Sequence, residues 1–110
     1  MAATIYSAVF IEEKELEGSS AFVVDGGYIA VVRFVSAFHG VQITPVRGRV
    51  TGPSNAAFFG FHDPVEAELP KSKYHAQNLR VVVDELQTIT AHVDLGNADV
   101  YVGGYLLRKE

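Results

Sequence analysis

Apolar and polar positions alternate with a period of two along most of the chain. From Thr4 to Ile11, the series Ile5, Ser7, Val9, Ile11 interleaves with Tyr6, Ala8 and Phe10, the pattern of a strand covered partly on both sides. A shorter run, Ser20 to Val24, stops at Asp25-Gly26-Gly27. Residues tolerant of positive φ let a chain reverse there, and a hairpin is the simplest consequence. Tyr28 to Phe38 is the longest predicted strand, with Ile29, Val31 and the stem of Arg33 on one side and Tyr28, Ala30, Val32 and Phe34 on the other. Val41 to Val46 alternates again, and Pro45, which cannot donate to a ladder, argues for an edge position.

The following stretch, Arg47 to Asn55, holds Gly48, Gly52, Pro53 and Ser54 and reads as a surface loop able to touch a partner. Ala56 to Phe61, with Phe58, Phe59 and Phe61, is apolar enough for a short buried strand. His62 to Lys73 contains Pro64 and Pro70 and reads as a polar connection with one helical turn around Val65 to Leu69. Three more strands follow, Tyr74 to Val83, Gln87 to Val93 and Asp99 to Leu107, separated by Asp84-Glu85 and by Asp94-Leu95-Gly96-Asn97. Gly103-Gly104 falls inside the last of them, where paired glycines mark a bulge or a close backbone approach. Seven to eight short strands, with no helix of core-forming length, predict an all-β fold: one antiparallel β-sandwich or jelly-roll-like domain spanning residues 1–110.

Composition supports that picture. Sixteen valines against seven leucines, with 12 Tyr and Phe, favour a pleated surface. Hydrophobic residues at 48% and charged residues at 20% are ordinary for a folding chain. A formal charge of −4 would repel a phosphate backbone, so no nucleic-acid partner is expected. The absence of cysteine excludes disulfides, a thiolate nucleophile and cysteine-based metal sites. The N-terminus lacks the pattern of a secretory signal, and no apolar segment approaches the roughly 20 residues of a membrane span, so no membrane insertion is expected.

Candidate chemistry is sparse. Neither a G-x-S-x-G elbow nor an S-x-x-K pattern occurs, and no enzymatic activity is expected. Four histidines, His39, His62, His75 and His92, are the candidates for titration or metal ligation. No two of them are closely spaced, so they read as scattered strand-end and loop residues, and no metal or cofactor is expected; His92 and Asp94 are the one pair a strand would place on a common face. Asp94, Asn97 and Asp99 around Gly96 superficially resemble a calcium loop, but the EF-hand spacing is absent and a hairpin turn explains them better. The acidic run Glu12-Glu13-Lys14-Glu15-Leu16-Glu17 reads as a hairpin tip or a helical turn on a solvated surface.

The stretch Phe22-Val23-Val24-Asp25-Gly26-Gly27-Tyr28-Ile29-Ala30-Val31-Val32-Arg33, the run Leu79-Arg80-Val81-Val82-Val83 followed by Asp84-Glu85 and Gln87-Thr88-Ile89-Thr90-Ala91-His92-Val93, and the closing Asp99-Val100-Tyr101-Val102-Gly103-Gly104-Tyr105-Leu106-Leu107 resemble segments of small β-sandwich virion proteins of tailed bacteriophages, particularly those infecting actinobacteria. The resemblance covers about half the chain and implies a minor tail protein, made in the host cytoplasm and built into the virion tail beside other virion subunits. Head decoration or a collar component is the alternative within the particle. On this reading the protein is a homo-oligomer that assembles through loops and edge strands. The expected contact residues are Arg47, Arg49, Phe59, Tyr101 and Tyr105, since interfaces favour aromatic and arginine anchors, although Phe58, Phe59 and Phe61 are also natural core residues. The second expectation is a carbohydrate-binding module that stacks tyrosines on a host-surface glycan. A cupin-like metalloenzyme is disfavoured by the lack of a compact His-x-His set.

Overall fold

The last strand of the chain, Thr88–Arg108, runs for 21 residues and has neighbours on both sides along its length. The computed structural model describes residues 5–12, 16–40, 44–64 and 73–109. Its strands are β1 (Ile5–Glu12), β2 (Leu16–Val23), β3 (Tyr28–His39), β4 (Val46–Thr51), β5 (Ala57–Asp63), β6 (Lys73–Val83) and β7 (Thr88–Arg108), all antiparallel to their neighbours. The N-terminal part of β7 lies between β2 and β4, and β5 flanks β4. Its C-terminal part lies between β1 and β3, and β6 flanks β3. The single seven-stranded sheet therefore has two halves, β2-β7-β4-β5 and β1-β7-β3-β6, that share one strand. The all-β single-domain expectation holds.

The halves face each other across one core. Nine valines (24, 32, 35, 46, 50, 83, 93, 100 and 102) and Ile89 are the bulk of its fully buried side chains, drawn from both halves. β-branched residues lose little rotamer freedom on a pleated surface, and burying each such side chain contributes about 1.5–3 kcal/mol. Phe10 and Phe22 meet with ring centroids 5.1 Å apart where β1 approaches β2. On the opposite margin, Phe61 of β5 stacks on His75 of β6 at 5.7 Å.

Several predicted boundaries move. Asp94-Leu95-Gly96-Asn97 reverses the chain, since both ends of β7 return to the Asp25-Gly26-Gly27 turn, but it is not the tip of a paired hairpin: the two parts of β7 lie in opposite halves of the sheet, and Gly96 takes φ +73° where β2 and β4 both shift register. The turn at Asp25-Gly26-Gly27 does reverse the chain, with Gly27 at φ +86°, but β2 and β3 do not pair, because the turn carries the chain from one half of the sheet to the other. β1 and β2 likewise do not pair with each other, and the centre of the acidic run between them, residues 13–15, lies outside the described residues. The strand placed at Val41 to Val46 instead starts at Val46 and uses the predicted loop: Arg47 and Arg49 point outward from β4, an interior strand between β5 and β7. Only Pro53–Asn55 remains as a short helical turn. Residues 41–43 and 65–72, including the expected helical turn at Val65 to Leu69, lie outside the described residues.

Gly103-Gly104 is a close approach, as its composition suggested. Opposite this pair β3 carries an extra residue, Arg33, and β1 carries one at Phe10. The β3 backbone presses onto the glycine there: a Cβ on Gly104 would sit 2.0 Å from the Val31 carbonyl oxygen and 3.0 Å from the Arg33 nitrogen. At the far end of β7, Lys109 donates its backbone N–H to the Gly27 carbonyl at 2.7 Å and its Nζ to Asp84 Oδ1 and Glu85 Oε1 at 3.1 and 3.0 Å. Glu85 Oε2 accepts from the Gly27 N–H at 2.7 Å, so two turns and the end of the chain are tied at one corner.

Two predictions follow from these contacts. Gly104→Ala is expected to lower unfolding stability by about 2–4 kcal/mol, the range of a forced backbone shift, while Gly60→Ala, whose Cβ would meet nothing closer than 3.8 Å, changes it little; urea titration of both compares them. The second concerns pH. Hydrogen bonds from the Glu85 backbone N–H and from Lys109 hold Asp84 below the ordinary carboxylate value, those from the Gly27 N–H and Lys109 do the same for Glu85, and Glu85 and Asp84 raise Lys109. Depressed acids stabilise above their unfolded pKa and cease to do so as pH falls through the folded one. The melting-temperature gap between wild type and Lys109→Met should therefore be constant near neutrality, close below the ordinary carboxylate range, and close again at alkaline pH above the ordinary lysine value.

Candidate functional site

Three strands bring His39, Asp63 and His75 together on the margin where β5 meets β6. His39 ends β3 with its ring turned inward. His75 lies on β6 opposite Ala37, on the same inward face two residues along, and Asp63 ends β5 in the other half of the sheet. The carboxylate oxygen Oδ2 of Asp63 lies 2.6 Å from His39 Nε2 and 2.5 Å from His75 Nε2. Lys73 Nζ stands 3.7 Å from the other oxygen, Oδ1. His39 and Asp63 are 6% and 7% exposed, whereas the His75 side chain retains 30% of its surface. His75 lies between two rings, stacked on Phe61 and, at 6.2 Å, on His39.

The hydrogen bonds constrain the protons. His39 Nδ1 is 3.1 Å from the Gly40 carbonyl oxygen, which can only accept, so Nδ1 carries a proton. Its Nε2 faces another acceptor, the Asp63 carboxylate. A proton shared between Nε2 and the carboxylate, or a cation in its place, satisfies that contact. Burial by itself pushes the Asp63 carboxyl up, but hydrogen bonds from His39 and His75 and the charges of both rings outweigh it and hold the group below its ordinary value. Two imidazole nitrogens and one carboxylate oxygen form a compact N2O donor set.

Sequence spacing did not reveal this cluster. Asp63 is 24 residues from His39 and 12 from His75, and only the pairing of β3 with β6 and the facing of the two halves bring them together. All four histidines fall on strands and none in a loop, His39 and His62 at strand ends as expected and His75 and His92 within β6 and β7. His92 and Asp94, the pair expected to share a face, are separated by their partners: His92 Nε2 lies 3.2 Å from Thr51 Oγ1, and Asp94 accepts from Arg49 Nη1 at 2.5 Å.

The predicted contact residues divide. Arg47 and Arg49 are exposed, on a strand and not a loop. Phe59 is not a surface contact: its ring is 7% exposed within the core, as the inward phase of β5 demands. Tyr101 and Tyr105 lie half-buried on the outward face of the β1-β7-β3-β6 half. That face also carries Phe38 and Tyr74, directly opposite each other in the β3–β6 ladder and 43% and 62% exposed, and Val82, 54% exposed. Phe34 meets Tyr101 edge-on at 6.0 Å, and the Tyr101 ring covers Gly103 so closely that a Cβ there would lie 2.8 Å from it. Tyr74 is out of step with the inward residues of β6, which is a sequence signal; Phe38 is in step with inward Ala30 and Val32 and turns outward only because of the extra residue at Arg33, which the sequence does not show.

Removing the buried carboxylate should cost far more than breaking an exposed pair. Asp63→Ala strands His39 and is expected to lower stability by about 3–5 kcal/mol. Arg49→Ala, which breaks the exposed pair with Asp94, should cost less than about 1 kcal/mol. Denaturant titration of both variants separates the two cases.

No family model and no curated protein matches the chain. Among solved structures it is similar to the core of Drosophila NLP, a structure described for pentamer formation and histone binding, at 14% identity over 99% of this chain and 100% of that chain, with a TM-score of 0.49. The expected function as a phage minor tail protein is corrected on this finding: the similar structure is described for pentamer formation and histone binding and not as part of a virion. The segments that carried the phage resemblance fall on strands β2, β3, β6 and β7 and the turns between them, elements that any all-β chain can share.

Proposed function

We propose that the protein is a non-catalytic scaffold whose copies associate through the outward face of the β1-β7-β3-β6 half. The observation that carries this reading is the cross-strand pair Phe38 and Tyr74, whose rings are left exposed on the same face as the Phe34–Tyr101 contact. Leaving such side chains solvated forgoes the burial that would otherwise stabilise them, and exposed aromatic rings grouped on one face mark an association surface. A second copy suits it, since a two-fold axis normal to the face would set aromatic rings against aromatic rings and keep the outward arginines of β4, on the opposite side of the domain, in solvent. The inward hydrogen-bonded histidines have a packing role in this scheme and need no substrate.

Sedimentation velocity across a concentration series tests the proposal. The wild type should sediment as a discrete oligomer at about 100 µM, and Phe38→Glu/Tyr74→Glu should shift it toward monomer by at least tenfold in dissociation constant while circular dichroism keeps its strand signature. A wild type that stays monomeric throughout, or a double variant that associates as well as wild type, would refute it.

A further inference from the structure

We propose that His39, Asp63 and His75 form a binding site for one divalent transition-metal ion of the zinc class, set between the two halves of the sheet where β5 meets β6. This site is independent of the association face. Its three donor atoms, His39 Nε2, His75 Nε2 and one Asp63 oxygen, lie within 4.8 Å of one another. Zinc bonds to imidazole nitrogen and carboxylate oxygen are roughly 2.0–2.2 Å, so ligand atoms in a tetrahedral site stand about 3.4 Å apart. The two nitrogens now lie 2.6 and 2.5 Å from the oxygen, and an outward movement of under about 1 Å makes room for the ion.

Four further features fit a metal. His39 already has the outer partner of a ligating imidazole: its Nδ1–H donates to the Gly40 carbonyl, which fixes the ring and directs the Nε2 lone pair at the site. His75 is held in orientation by stacking on Phe61, so little rotamer freedom remains to be lost on binding. Lys73 beside Asp63 Oδ1 favours coordination through Oδ2 alone. The partial exposure of His75 provides the entry path and leaves a fourth position for water. The donor chemistry selects the ion: a single carboxylate with two imidazoles is a poor cage for calcium or magnesium, which need several hard oxygens, and suits zinc, cobalt or nickel.

Zinc chloride titrated into chelator-treated full-length protein at pH 7.5, followed by calorimetry and by the 15N resonances of the histidine rings, tests the site. The expected result is one zinc per chain, a melting temperature raised by roughly 10 °C at free zinc a hundredfold above the dissociation constant, and movement of the Nε2 resonances of His39 and His75 while those of His62 and His92 stay in place. Cobalt should give a d–d absorption band that saturates at one equivalent. His75→Ala should weaken binding at least a hundredfold and abolish the band, and His62→Ala, one residue from Asp63 but exposed, should change neither. The ring resonances read the wild type directly and keep the test valid if the His75 variant fails to fold. The proposal is overturned if wild type shows no saturable 1:1 binding, if the resonances that move belong to His62 or His92, or if a folded His75→Ala protein binds zinc within threefold of wild type.

Discussion

The fold depends on one strand serving two sheet halves at once. β7 takes β2 and β4 as neighbours before its bend at Gly96 and β1 and β3 after it. Since both halves hang from a continuous backbone, they cannot drift apart, and their inward valines must share one core. A 110-residue chain buries about two-thirds of the surface its unfolded form exposes, a smaller share than a larger domain does. Fusing two central strands into one removes a turn whose polar backbone would otherwise need partners. The cost is local: where β7 passes the extra residues of β1 and β3, only glycine fits at position 104.

That arrangement explains which parts of the structure the sequence disclosed. Period-two alternation located β1, β3, β5 and β6 to within a few residues, because each has one face on the core. It failed where the cause of a conformation is not local. Asp94-Leu95-Gly96-Asn97 has the composition of a turn and does reverse the chain, but whether the parts it joins pair with each other depends on the strands alongside; here they lie in opposite halves and β2 spans the bend, pairing Gly18 with Val93 and Leu16 with Ala98. Arg47 to Thr51 looked like a loop because Gly48 and two arginines interrupt the apolar pattern, yet Val46 and Val50 supply the buried phase and the arginines take the outward one. A resemblance built on strand-and-turn segments fails for the same reason, since local pattern encodes strands and not their company.

The histidine cluster was illegible for a stricter reason. Ligand or ion-pair motifs can be found in sequence when one helix, strand or loop supplies two members at fixed spacing. Here each member comes from a different strand, and two register relations must be known before His39, Asp63 and His75 meet: the β3–β6 ladder and the facing of β5 against β6. Asp63 carried one weak hint, an acidic residue at an inward position of β5, in phase with Phe59 and Phe61. An inward carboxylate needs a partner, and among the described residues histidines supply it.

The two margins of the sandwich are closed by different chemistry, and the difference follows from what each must specify. Where β1 meets β2 the strands are joined by a short connection, and a pair of phenylalanines suffices because chain continuity already restricts how the strands can slide. β5 and β6 are edge strands of opposite halves, joined through the longer segment between Asp63 and Lys73. Apolar contacts are tolerant of a shift along the strand, whereas a carboxylate accepting from two fixed ring nitrogens is not, and a shift of one residue would turn Asp63 out and His62 in. The buried polar group thus sets the register of two strands that no ladder connects. Apolar residues of the same size would close the margin with less desolvation cost, but without a directional bond they would leave that register to packing alone.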